Sequence, residues 1–246
     1  MNSETRVPSL PSLEEILGSL LPQIDLNERF ETAVSRGDSI PRAHALLGTG
    51  LFVKRIMDLL LSAVAVSLLW PLMLAIALAI KLESPGPVIY ASLRAGKKGQ
   101  EFVCYKFRTM FDRADGLKDS LRRFNERQDP FFKIADDPRV TWLGRFLRKY
   151  SLDELPQFWN VLKGDMSLVG PRPHPLDDYL RYRPDDHRRL EVKPGITGLW
   201  QVIARRNPSF ETCLRLDVEY MKHWSLSLDC KILLRTVPAV LSGEGL

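Results

Sequence analysis

Leu59-Leu-Leu-Ser-Ala-Val-Ala-Val-Ser-Leu-Leu-Trp70-Pro71-Leu-Met-Leu-Ala-Ile-Ala-Leu-Ala-Ile80 is a run without a single charge. As an α-helix it would extend roughly 33 Å, enough to cross a bilayer. A plain transmembrane helix is one reading, but two features favour another. Pro71 stands near the middle, where it removes a backbone donor and bends a helix. Both flanks are basic: Lys54 and Arg55 precede the run, and Lys81, Arg94, Lys97 and Lys98 follow it. Positive flanks mark the cytoplasmic side, so the charges give no crossing direction. A helix bent at Pro71, entering and leaving on one face with arms of roughly 14–18 Å, fits both observations. The residues alone leave the two readings level. Asp58 lies at the edge of the run, where an acid needs a partner. Arg55, three residues earlier, is the candidate.

The rest of the chain is of ordinary composition. Its 246 residues allow one large domain or two small ones, and a 45% hydrophobic share is enough for a core. The net charge of +5 suits phosphorylated small molecules, anionic lipid or nucleic acid. No basic tail or basic–aromatic ribbon points to nucleic acid. Cys104, Cys213 and Cys230 are widely spaced and odd in number, and His44, His174, His187 and His223 lack zinc spacing. A reducing compartment is the simplest reading. Residues 1–21 mix acids and prolines and show no secretory leader.

Residues 1–50 are polar. Ser12-Leu-Glu-Glu15 resembles a capping box opening a short helix through Leu21, and the remainder reads as a tether without catalytic role. After the apolar run, Ser84-Pro-Gly-Pro87 is a turn. Val88 to Ala91 is a short strand candidate, and Gly96-Lys-Lys-Gly99 is a hairpin loop. Phe102 to Met110 alternates as a half-buried strand does, which puts Lys106 and Arg108 on one face. Residues 112–127 are charged and helix-prone. Val140, Leu143, Phe146 and Leu147 recur at helical spacing, leaving Arg145, Arg148 and Lys149 off the apolar stripe. Helices are expected over 176–190 and 210–224, with the glycine-rich Lys193-Pro-Gly-Ile-Thr-Gly198 between them. Leu226 to Leu241 is amphipathic and reads equally as a membrane-surface helix or a core helix.

The chemistry-bearing stretch is Ser151-Leu-Asp153-Glu154-Leu-Pro156. It follows Arg145, Arg148 and Lys149, and Arg172 comes later between Pro171 and Pro173. Cations grip anionic oxygens, while carboxylates hold a divalent cation or attack phosphorus. Ser151 with Glu154 also matches a capping box, a purely structural role. With Asp153 as cap, Pro156 falls in the first turn, where it is tolerated. Both carboxylates then sit at the positive end of a helix running to Leu162 and stopped by Gly164.

These motifs, in this order, resemble the bacterial sugar transferase family, the monotopic phosphoglycosyl transferases. The resemblance is carried by Lys54 to Asp58, Tyr105 to Met110, Ser151 to Gln157, Asn160 to Ser167, Val169 to Pro173, Lys193 to Gly198 and Leu216 to Tyr220. It implies an α+β, mostly helical fold in three parts. Residues 1–50 would be a polar extension and 51–82 a re-entrant membrane helix kinked at Pro71. Residues 83–246 would be a cytoplasmic catalytic domain with a small β-hairpin and amphipathic surface helices. The reaction implied is transfer of a sugar 1-phosphate from a UDP-sugar to polyprenyl (undecaprenyl) phosphate. It requires magnesium and releases UMP at the bacterial inner membrane, initiating exopolysaccharide or O-antigen synthesis.

Carried over by position, Asp153 would be the nucleophile, and Glu154 with Asp153 would bind magnesium. Arg148 and Arg172 would hold phosphate, and Lys106, Arg108, Gln201 and Asp217 would shape the site. One position departs from the pattern: Trp70 precedes Pro71 where many relatives have Ser. The rival reading is a membrane-anchored scaffold that keeps the fold without turnover. A third is a glycosyl transferase that releases UDP. The sugar is not legible, nor is the oligomeric state, a homodimer being one option.

Overall fold

The computed structural model describes residues 18, 40–126, 134, 136–205 and 209–243. The cap expected at Ser12 lies outside them. The apolar run is part of one long helix, α1 (Ile40–Glu83), which begins well before residue 51. Pro41 falls in its first turn, where a missing N–H costs nothing. The helix is continuous through Pro71.

Its sides are bare. Only 11% of its most apolar window is buried, and Leu68, Trp70 and Leu78 are all more than half exposed. A core helix of a soluble protein would hide most of such a surface. A lipid-facing helix does not need to.

The exceptions cluster near the two flanks of the apolar run. Before it, Lys54 donates to the Val169 carbonyl (3.0 Å) and pairs with Asp229 (2.6 Å). Arg55 donates to the carbonyls of Val161 (2.7 Å) and Leu162 (3.0 Å). Asp58 is buried and accepts from the Ser167 hydroxyl (3.1 Å) and the Leu168 N–H (2.9 Å). Asp58 is therefore not held by Arg55, as the spacing suggested. The guanidinium goes to a helix C-terminus, which favours a cation, and a backbone N–H satisfies the acid. At the far end Ile76 and Ile80 are buried with Phe107 and Leu147. There Arg108 closes the helix exit, donating to the Ser84 carbonyl (2.8 Å), the Ser84 hydroxyl (3.1 Å) and the Pro85 carbonyl.

The hairpin forms as expected. Strands β1 (Ile89–Ala95) and β2 (Glu101–Phe107) pair antiparallel, with Tyr90 opposite Lys106. Helix α2 (Trp142–Lys149) is capped by Thr141, whose hydroxyl accepts from the Gly144 N–H. It crosses the chain after β2 so closely that a Cβ on Gly144 would lie 2.1 Å from the Thr109 carbonyl oxygen. Helix α3 (Gln157–Lys163) ends at Gly164, whose φ of +97° is the left-handed stop.

A second, parallel pair joins β3 (Ser167–Val169) to β4 (Gly195–Thr197). This explains the glycine-rich loop: a Cβ on Gly195 would sit 2.1 Å from the Gly170 nitrogen. Helices α4 (Leu199–Ile203), α5 (Phe210–Lys222) and α6 (Leu226–Leu241) complete the fold. They share a core built on Val161, Met166, Leu199, Leu216, Leu228 and Ile232.

Two expected helices are broken up. Residues 114–124 form short successive turns, and 176–190 divides into the turn Leu176–Tyr179 and a 3-10 stretch, Pro184–Leu190. Pro184 starts the second piece because it cannot donate within the first. Helix α6 combines both of its readings. Leu228 and Ile232 are in the core, whereas Leu234, Val237 and Leu241 form a bare apolar edge.

Candidate active site

The two adjacent carboxylates lie on a single 3-10 turn, Leu152–Glu154, between α2 and α3. Ser151 precedes it with φ of +53°, a conformation costing a non-glycine residue about 1–2 kcal/mol. Arg205 anchors that residue by donating to its hydroxyl at 2.5 Å. Neither capping arrangement forms. The N–H groups of Glu154 and Leu155 bond three residues back, to the carbonyls of Ser151 and Leu152. The α-helix then starts only at Gln157, behind Pro156. Both carboxylates are thus free of capping duty and meet cations from other elements.

Glu154 is fully engaged. Its Oε1 accepts from Lys106 Nζ (2.7 Å) on β2 and from Arg172 Nη2 (2.6 Å). Its Oε2 accepts from Arg172 Nη1 (3.2 Å). Asp153 is buried but open: its Oδ2 lies 3.9 Å from Lys106 Nζ, and it accepts no hydrogen bond among the described residues. Arg148 on α2 donates to the Thr109 hydroxyl (2.9 Å), and its charge reaches Asp153.

The electrostatics separate the pair. Burial pushes the Asp153 carboxyl up to about 6, opposed by Lys106. Against the same upward push of burial, Arg172 and Lys106 hold Glu154 below the usual carboxylate range. Two neighbouring acids with divergent proton affinities imply different duties.

The set suits a hard divalent cation. Such an ion takes one or two carboxylates and completes its shell with water and substrate phosphates. Asp153 offers uncommitted oxygens for this, and Glu154 stands beside it. Among the described residues no three His, Cys, Asp or Glu side chains converge, so phosphate oxygens would have to contribute.

The structure brings Lys106, Arg148, Asp153, Glu154 and Arg172 together. It takes three other candidates elsewhere. Arg108 shares the Lys106 face by alternation, but β2 ends at Phe107 and its guanidinium turns to the exit of α1. Gln201 braces the glycine-rich loop, donating to the Ile196 carbonyl at 2.8 Å. Asp217 is buried on α5 and paired with Arg189 at 2.5 Å. Burial raises it to about 6, with Arg189 pulling the other way.

Sequence reasoning missed Arg189, which is 2% exposed and donates to the Arg172 carbonyl at 2.8 Å. It sits in a segment that reads as a solvated polar helix. A local signal was Pro184, which starts the 3-10 stretch that carries Arg189.

A profile of the bacterial sugar transferases matches residues 49–243. The galactosyl transferase CpsE of Streptococcus agalactiae is 45% identical over 197 residues, 79% of this chain and 43% of that protein. The chain thus spans less than half the length of that relative. The exopolysaccharide production protein ExoY of Rhizobium meliloti is 41% identical over 200 residues, 80% of this chain and 88% of ExoY. The UDP-glucose:undecaprenyl-phosphate glucose-1-phosphate transferase of Caulobacter vibrioides is 42% identical over 243 residues, covering 94% of this chain and 85% of that protein. The matched region takes in the apolar part of α1, the carboxylate turn and Pro171 to Pro173, and on this basis the chain belongs to the bacterial sugar transferase family.

Proposed function

We propose that this chain moves a sugar 1-phosphate from a UDP-sugar to polyprenyl phosphate, through a phosphosugar ester on Asp153 and with release of UMP. One observation carries the reading: a buried but uncommitted carboxylate beside a second one locked between Lys106 and Arg172. The Caulobacter relative, named for the same class of transfer with glucose, supports it.

In the first half-reaction an Asp153 oxygen attacks the phosphorus that bears the sugar. The bond from that phosphorus to the UMP phosphate oxygen breaks, and UMP leaves with the electron pair. In the second, an oxygen of polyprenyl phosphate attacks the same phosphorus and displaces the Asp153 carboxylate. An ionised nucleophile needs no base in either step. Lys106, Arg148 and Arg172 oppose charge on the transferring group, where catalysis of phosphoryl transfer chiefly acts. Magnesium, held by Asp153 and Glu154 with the donor phosphates, would supply further neutralisation.

The reading extends to topology. We take α1 as re-entrant, dipping into the cytoplasmic leaflet of the inner membrane and returning. What supports this is that both halves of α1 rest on one domain. Arg55 meets Val161 and Leu162, while Ile76 and Ile80 share a cluster with Leu147 and Leu155. A bend at Pro71, where the helix lacks a backbone donor, would return both halves to that domain and hold the site close to the lipid surface.

The test is a panel of UDP-sugars with polyprenyl phosphate and magnesium, scored for released nucleotide. UMP from one sugar supports the transferase. UDP would mean direct glycosyl transfer, and no nucleotide from any sugar would leave the scaffold reading.

A further inference from the structure

Pro171-Arg172-Pro173 cannot be held by its own backbone donors, because two of its three residues have none. It is held through its carbonyls instead. The Pro171 oxygen accepts from the Gly195 N–H (2.9 Å) and the Arg172 oxygen from Arg189 Nη2 (2.8 Å). The Pro173 oxygen accepts from Arg94 Nη1 (3.2 Å) and the His174 oxygen from the Ala95 N–H (3.3 Å). Four successive carbonyls are tied to β4, the Pro184–Leu190 stretch and β1.

Arg189 is the energetically demanding member, since a buried guanidinium must be paired and hydrogen-bonded. Asp217 takes Nη2 at 2.5 Å, and the Tyr182 hydroxyl takes Nη1 at 2.7 Å. The His174 ring lies 2.8 Å from Nη1 at Nε2. Burial and the Arg189 charge keep His174 neutral, so its ring accepts rather than repels. A buried ion pair seldom stabilises a fold beyond what apolar residues of similar volume would. An apolar side chain at 189 could fill the core, but it could not hold the Arg172 carbonyl.

We propose that Arg189, backed by Asp217, is a positioning residue for the transfer: it fixes the Arg172 backbone so that its guanidinium meets Glu154 with both nitrogens and faces the donor phosphates. Arg94 plays the matching part at Pro173. The inference rests on the proposed reading of Arg172 as a phosphate ligand. It gives Asp217 and Arg94 a function without substrate contact.

The test is a double-mutant cycle on the full chain in detergent or lipid nanodiscs. R189K keeps the charge facing Asp217 but loses the planar fork. UMP release should fall about tenfold to a hundredfold, as a misplaced ligand of the reacting group predicts. In an R172K background the same substitution should cost less than about twofold, because its effect passes through Arg172. An equal loss in both backgrounds, or R189K at the wild-type rate, overturns the proposal. A readout independent of turnover accompanies the cycle: the guanidinium Nε–H signal of Arg172 in nitrogen-15 spectra, assigned by its loss in R172K. In R189K that proton should exchange with water at least about tenfold faster than in wild type, because the Arg172 backbone is no longer held. An unchanged exchange rate counts against Arg189 as a positioning residue. Wild type without UMP release counts against the transferase reading and leaves the Arg172 measurement to decide this one.

Discussion

Arg172 holds Glu154 through two guanidinium nitrogens, at 2.6 and 3.2 Å, while the carboxylate of the preceding residue, Asp153, accepts no hydrogen bond among the described residues. The consequence is a division between a fixed acid and an available one. Glu154 is committed to organising cations, and Asp153 is left to react.

Replacing Glu154 tests the fixed half. E154Q keeps the shape but removes the charge that Lys106 and Arg172 share. Magnesium affinity should fall by about 10–100-fold. The maximal rate should fall by on the order of a hundredfold. UMP release measured against magnesium concentration separates the two effects. An unchanged magnesium dependence would remove Glu154 from the metal's surroundings.

The pH profile tests the available half. Asp153 is raised to about 6 by burial, and only its ionised form attacks. Activity is therefore present above that value and lost as pH falls through it. The acid limb of kcat/KM should lose about tenfold per pH unit below the apparent pKa. Lys106 pulls Asp153 down, so K106M should move the limb to higher pH while also slowing the reaction. A limb in K106M that stays in place would show that another group controls it.

The Asp58 contact makes a stability prediction. D58A leaves the buried Leu168 N–H without its acceptor, at a cost of about 1–3 kcal/mol. D58N retains an acceptor and should lose less. Thermal unfolding in a fixed detergent compares the two. A D58A protein that melts with wild type would mean that α1 is not anchored through this residue.

Topology is open to a labelling test. Phe52 and Leu82 are exposed near the two flanks of the apolar run. In a C230S background, a cysteine at either position should react with an impermeant maleimide from the same side of sealed vesicles. Reaction from opposite sides would establish a crossing helix.

Much of this was legible in the sequence because local chemistry determines it. The hairpin around Gly96 to Gly99, the stop at Gly164 and the span of α6 follow from turn residues and periodicity. Lys106, Asp153, Glu154 and Arg172, each named from its place in a family motif, lie together in the structure. What the sequence hid depends on long-range contacts. Nothing local says that Arg55 will serve the end of α3 rather than Asp58, three residues along. Nor does alternation along β2 reveal that the strand stops at Phe107, sending Arg108 to α1. Ser151 satisfied a capping pattern, yet its left-handed backbone gives a 3-10 turn that no spacing rule anticipates.

The most direct measurement is to trap the protein with UDP-sugar labelled at the sugar phosphate and magnesium, with the lipid acceptor left out. Peptide mapping then locates the label. The account predicts one labelled phosphosugar on the Asp153 carboxylate, absent in D153N and discharged when polyprenyl phosphate is added. Stoichiometric label on any other residue, or wild-type UMP release by D153N, would contradict it.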